Sequence, residues 1–356
     1  MLWRDGRVHE GTIAPLDHAD RGLTLGDGLF DTALALDGRI AFEAAHVERL
    51  AASAEALGIP ADGQAIRGAM RALAARGARL AIRTTLTRGA GPRGLKPPDD
   101  PRPTLFAVAA PSSRALAFAP LRLWPTGIAR NDTSPAARHK TLGYLDAVLA
   151  AREAAAAGFD EALFCNTRGA VACAGTGNVF CVLVSATGTD AARDAAAHAP
   201  SPLCGGGWPS RQRGSGEGSA ISGEVAPGAA SSSVAPPLTR PPSGATLPRR
   251  GGREDGRLRL VTPPLSDGVL AGITRAQVLA LAPACGLAVE ERSLSLDELR
   301  GAEAVFVTNA LRLLAPVTAL GTTTYASAAH PAVGRLIAAL RAAVARSCGV
   351  DAEQVA

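Results

Sequence analysis

Apolar and polar positions along the chain fall into two kinds of repeat. Residues 2–10 and 11–42 read as short strands joined by turns: LWRDGRV bends at Asp5-Gly6, and DTALALDGRIAF folds back at Asp37-Gly38, a hairpin dipeptide. In HVERLAASAEALGI (46–59), Val47, Leu50, Ala54 and Leu57 return every three or four residues, which predicts a helix that Gly58 helps to end. A second helix over 63–76 and strands over 78–89 and 104–111 follow. That order predicts a small two-layer α+β domain, helices on one sheet, over residues 1–118.

After a linker at 119–127 the pattern resumes as a larger domain over 128–356. It holds a helix at 144–158, strands EALFCN and GNVFCVLV about the turn Arg168-Gly169, a strand at 256–265, a helix within GITRAQVLALAPACG and a strand at 302–310. A last helix spans 330–346 with Pro331 in its first turn. NVFCV and RLRLVTP are expected to pair as a hairpin. Between them the periodicity fails: 26 of the 50 residues from 201 to 250 are Gly, Pro or Ser, too few apolar groups to offset ordering entropy. Residues of about 185–256 are therefore expected to be a disordered insertion at the tip of that hairpin.

Composition narrows the class of protein. Of 356 residues 47% are apolar, enough for a core, and aromatics are only 4%, so the core is expected to be aliphatic. The charged start MLWRDGRVHEG does not read as a signal peptide, and no apolar run approaches the length of a membrane span. Cysteines 165, 173, 181, 204, 285 and 348 are scattered without CxxC or His at ligand spacing. They read as reduced thiols of a cytoplasmic protein, and no metal site is expected. The net charge of +5 gives no support to nucleic-acid binding, because residues 201–250 alone carry five arginines against two glutamates.

The basic residues carry the chemical clue. Only Lys96 and Lys140 are lysine among 37 basic side chains. Arginine stays protonated, whereas a desolvated lysine offers a free amine that attacks carbonyls and moves protons. Tyr144 lies one helical turn beyond Lys140. In GITR, Gly272 lets the backbone approach a ligand, and Ile273 and Thr274 open a helix whose N–H groups favour an anion. Arg49 could reach the same anion from the first domain. An amine at one end and an anion cradle at the other suit pyridoxal phosphate.

The ordered set DRGLTLGDGLFDTALALDGRI, HVERLAASAEALGI, TRGAGPRG, RHKTLGYLDAVLAAREAAAAGFDEAL, GNVF, LVTPPLSDGVLAGITR and AEAVFVTNALRLLAPV resembles the fold-type IV pyridoxal-phosphate enzymes, that is, the class IV aminotransferases and aminodeoxychorismate lyase. The resemblance covers most of the chain outside the insertion. It implies a two-domain, D-amino-acid aminotransferase-like fold whose second domain is a β-barrel-like α/β unit, with cofactor between the domains, and a homodimer. It makes Lys140 the Schiff-base lysine, gives the phosphate to Arg49 and the backbone of Ile273-Thr274 beside Gly272, lays Leu270 on the ring, and sets Tyr144 and Asn178 next to it. The family's acidic partner of the ring nitrogen falls at Cys173, a departure that weakens the electron sink. Asn309, Ala310 and Leu311 form a turn resembling that of the lyase rather than the transaminases. Phe30 and Leu95 replace a tyrosine and a histidine of the D-amino-acid enzymes, which argues against a D-amino-acid substrate. Phe30, Thr32 and Leu311 fall on the substrate side, and Arg88 or Arg93 is expected to offer a guanidinium to substrate carboxylates. Three readings stay open: 4-amino-4-deoxychorismate lyase, a branched-chain-like amino-acid aminotransferase, and a cofactor-binding protein with little activity.

Overall fold

A computed structural model describes residues 1–184 and 258–356. The expected insertion at 185–256 lies outside the described residues.

The first sheet has six strands: β1 (Leu2–Arg4), β2 (Arg7–His9), β3 (Gly28–Leu36), β4 (Arg39–Ile40), β5 (Arg79–Thr87) and β6 (Thr104–Pro111), in the order β2-β1-β6-β5-β3-β4 and antiparallel throughout. Asp37 and Gly38 both have positive φ, 44° and 79°, which is the condition for the tight hairpin joining β3 to β4. A short α1 (Arg21–Leu25) precedes β3, and α2 (Glu43–Ala56) and α3 (Gly63–Ala74) cover the sheet. Val47, Leu50 and Ala54 from α2 meet Ile66, Met70 and Leu73 from α3 over Leu29, Ala33 and Ile82 of the sheet, forming one apolar core.

The second sheet closes on itself. Its strands are β7 (Leu121–Pro125), β8 (Glu161–Cys165), β9 (Val171–Ala174), β10 (Asn178–Val184), β11 (Leu258–Thr262), β12 (Ala288–Glu291), β13 (Ala304–Asn309), β14 (Leu313–Leu320) and β15 (Thr323–Thr324). The order runs β12-β11-β10-β13-β14-β7-β8-β9, and β9 pairs back onto β10 at Asn178 and Cys173, which completes a barrel. The predicted β10–β11 pair is present and antiparallel, with Val184 opposite Leu258.

Both faces of the barrel strands are apolar, so alternation is hidden in them. Val179, Cys181, Val305, Val307 and Val317 point into one cluster with Leu121, Leu123 and Leu163. Phe180, Val182, Ala304 and Phe306 point to the other side, beneath α5 (Ile273–Leu281) and α7 (Pro331–Cys348). Phe180 and Phe306 stack with centroids 5.0 Å apart. On a third flank α4 (Leu145–Ala156) sets Ala150 and Ala154 against Ala162 and Phe164. Two further short helices complete the elements, α6 (Leu296–Arg300) and α8 (Ala352–Val355).

Candidate active site

Several of these elements converge on a cavity of about 510 Å³, a volume suited to a cofactor and a small substrate. Lys140 stands just before α4. Its carbonyl accepts from the Phe30 N–H at 2.9 Å and the Leu142 N–H donates to the Gly28 carbonyl at 3.1 Å, so the lysine loop is stitched to the start of β3. Its Nζ donates to the Tyr144 hydroxyl at 3.1 Å and sits 4.3 Å from the Phe30 ring centre, while Phe30 meets Tyr144 edge to face at 5.1 Å. An amine held between the Tyr144 hydroxyl and the Phe30 ring has a defined direction.

At the opposite end α5 begins at Gly272 with no side-chain cap on its first N–H groups. A side chain at 272 would collide with Asn178 Oδ1, which is itself fixed through its Nδ2 donating to the Leu270 carbonyl at 2.9 Å. Arg49 crosses from α2 and donates to the Ala271 carbonyl at 3.2 Å. An uncapped helix start with an arginine beside it has the chemistry to hold an anion. Arg49 is held there by Asp31, which accepts from its Nε at 2.8 Å and its second nitrogen at 3.0 Å, and which also contacts His46 Nδ1 at 2.6 Å. Burial alone would raise the Asp31 pKa, but the bond and charge of His46, with Arg49, hold it below the ordinary 3.8.

Lys140, Tyr144, Cys173, Asn178, Arg49, Leu270, Gly272, Ile273, Thr274, Asn309, Ala310, Leu311, Phe30 and Thr32 all line this one cavity. Arg88 and Arg93 do not. Arg88 is buried elsewhere, donating to Asp27 at 2.8 Å and to the Gly58 and Leu57 carbonyls at 2.6 and 2.9 Å, so its guanidinium does not face the cavity. Arg93 is exposed on its loop. The guanidinium expected from TRGAGPRG comes instead from other positions: Arg83 of β5, Arg130 and Arg312 line the cavity. Arg83 lies flat on Phe30, 3.5 Å from ring centre to guanidinium carbon, and burial lowers its pKa from the ordinary arginine value without removing its charge. Arg130 donates to the carbonyls of Gly268 and Ala137, each at 3.2 Å.

Cys173 faces the same space. Burial pushes its thiol up in pKa, Arg130 and Lys140 opposing and Glu161 adding, so at neutral pH it is an uncharged thiol. Glu161, at the start of β8, also lines the cavity, as do His46 and Thr176. None of these was singled out by the sequence, although His46 lies three residues before Arg49 on one helical face.

An amine at one end and an anion cradle at the other fit the ends of pyridoxal phosphate, and the closed barrel beside a helix-covered sheet fits the fold-type IV enzymes. Comparison with known proteins gives the same class: residues 28–190 and 255–320 match the family Amino-transferase class IV, and the chain belongs to that family. It is a pyridoxal-phosphate-dependent enzyme. A putative branched-chain-amino-acid aminotransferase of Methanocaldococcus jannaschii is 27% identical over 324 residues, 89% of this chain and 86% of that protein. The 4-amino-4-deoxychorismate lyase of Pseudomonas aeruginosa superposes with a TM-score of 0.64 at 25% identity, covering 92% of this chain and 94% of its own. The pyridoxal-phosphate-bound form of a hypothetical aminotransferase from Mycobacterium tuberculosis shares the fold, with a TM-score of 0.69 at 20% identity over 97% and 99% of the two chains.

Proposed function

We propose that the protein is a 4-amino-4-deoxychorismate lyase, releasing 4-aminobenzoate and pyruvate for folate synthesis. The observation that carries this reading is the pair Arg83 and Arg312: both line the cavity, and among the described residues neither side chain has a hydrogen-bonded or ion-pair partner. Two guanidiniums without a hydrogen-bonded carboxylate of the protein suit a substrate with two carboxylates. A branched aliphatic side chain would leave them desolvated and unpaired.

When bound, pyridoxal phosphate supplies a carbonyl for amine condensation and an electron-poor ring. The chain supplies the rest. Arg49 and the N–H groups of Ile273 and Thr274 bind the phosphate, and Asp31 orients Arg49. Leu270, Asn178 and Cys173 line the space in which they would hold its ring. Tyr144 steers the Lys140 amine, which takes a proton from the substrate ring and returns one to the departing pyruvate carbon. Formation of an aromatic product assists that departure, so a neutral thiol at 173 is tolerable. Phe30, Thr32 and the turn Asn309-Ala310-Leu311 shape the substrate side.

The second reading, a branched-chain-like aminotransferase, is favoured by the archaeal relative. Purified protein given 4-amino-4-deoxychorismate is expected to form 4-aminobenzoate and pyruvate in equal amounts. Absence of both, together with rapid conversion of the bound cofactor to its amine form by glutamate or leucine, would reverse the ranking. Borohydride reduction followed by peptide mapping is expected to place the cofactor on Lys140.

A further inference from the structure

Arg49, Arg83, Arg130, Lys140 and Arg312 line the cavity, and Glu161 is the one carboxylate that does so among the described residues. Glu161 is 9% exposed. One of its oxygens accepts from Thr176 Oγ1 at 2.6 Å, and the other rests against Gly175, where a side chain would collide with it. Thr176 Oγ1 accepts in turn from Asn309 Nδ2 at 3.4 Å, and Asn309 Oδ1 takes the N–H groups of Leu311 and Arg312 at 3.0 and 2.8 Å.

A group that only anchored this loop would need no charge, because glutamine accepts the same hydrogen bond from Thr176. Burying a carboxylate without a directly paired cation is costly. Burial accordingly raises the Glu161 pKa, against the pull of Thr176, the Ala162 and Gly175 N–H groups and Arg312. A pyridine ring, for its part, withdraws electrons best when its nitrogen is protonated, and a nearby negative charge favours that state. The thiol at 173 carries no such charge. Glu161 and Cys173 belong to the same β8–β9 hairpin, whose register places Leu163 opposite Ala174 and Phe164 opposite Cys173.

We propose that Glu161 supplies, from one strand away, the negative charge that keeps the cofactor ring protonated in this protein, the thiol at 173 being unable to do so. Glu161 is a positioning residue that acts through the field of the cavity, and the inference rests on the cofactor site described above.

The test uses holoenzyme carrying cofactor labelled with nitrogen-15 in its ring and reads the ring-nitrogen chemical shift against pH. Glu161→Gln is expected to fold, because it removes a buried charge and keeps the hydrogen-bonding shape. It should lower the midpoint of that titration by at least about one pH unit, a tenfold change in proton affinity. Cys173→Glu should restore the midpoint in the Glu161→Gln background and move it by less than about 0.3 units alone, a non-additive cycle. Thr176→Ser, which keeps both the hydrogen bond and the carboxylate while altering the packing of the loop, should leave it nearly unchanged. A Glu161→Gln midpoint within about 0.3 units of wild type, or an equal shift in Thr176→Ser, overturns the proposal. Should Glu161→Gln fail to fold, Cys173→Glu alone decides: a rise of about one unit or more means that no charge was already in place. Failure of the site itself looks different, since wild-type protein would then carry no borohydride-fixed adduct on Lys140.

Discussion

Asp31 is the residue on which the anion end of the cavity depends. It is 2% exposed and holds both Arg49 and His46, so a neutral amide there leaves two basic side chains buried against each other. Asp31→Asn is expected to cost about 3 kcal/mol of stability in denaturant melts and to weaken cofactor binding by roughly tenfold or more in equilibrium titration. Because the folded pKa of Asp31 is depressed, its contribution is complete above the ordinary carboxylate value of 3.8 and disappears as pH falls through the folded value. The gap between wild type and Asp31→Asn in urea melts should therefore shrink below about pH 4. Lys140 could be read from the sequence because a lysine is chemically conspicuous among arginines. Asp31, Arg83 and Glu161 could not, since each sits inside a strand pattern where a single charged residue resembles a solvent-facing position. Arg88 misled for the opposite reason: a loop arginine beside glycines looks free, and only the fold shows Asp27 and two carbonyls enclosing it.

At the scale of elements, the first turn of α5 and the strand that carries Asn178 must pass within contact of each other, and Gly272 is what permits it. Gly272→Ala places a methyl on Asn178 Oδ1, so the Asn178 bond to Leu270 and the helix start cannot both persist. Cofactor affinity is expected to fall at least about tenfold in titration. Thermal stability should drop by about 1–3 kcal/mol, the usual cost of overpacking. The helices α2, α3, α4, α5 and α7 and the β3–β4 and β10–β11 pairs were legible, since their periodicity and turn residues are local. β7 and β14 were not: LRLWP ends in Pro125 and LLAPVTAL contains Pro316, and proline argues against a central strand until tertiary pairing is known. The closure of β9 onto β10 was equally hidden, because a barrel is defined by which strand meets which and not by any one strand's composition.

For the molecule as a whole, α4 presents Leu145 and Val148, 69% and 60% exposed, and the neighbouring α1 presents Leu23 and Leu25, 59% and 47% exposed. We propose that this apolar surface is covered by a second copy of the chain, as the resemblance implies. The double variant Leu145→Asp with Val148→Asp is expected to halve the mass seen by sedimentation equilibrium and leave the far-ultraviolet circular dichroism unchanged.

The barrel draws its strands from both sides of residues 185–257: β7 to β10 come before and β11 to β14 after, with β10 lying between β11 and β13 and β7 beside β14. On the ribosome, β10 therefore emerges with Val179, Phe180 and Val182 bared until Ala304 and the residues after it follow. At ordinary rates of synthesis that interval is on the order of 6–24 seconds. A nascent chain halted before Ala304 should be cleaved readily by protease within 171–184 and captured by chaperones, and one released after Cys348, with α7 in place, should be neither.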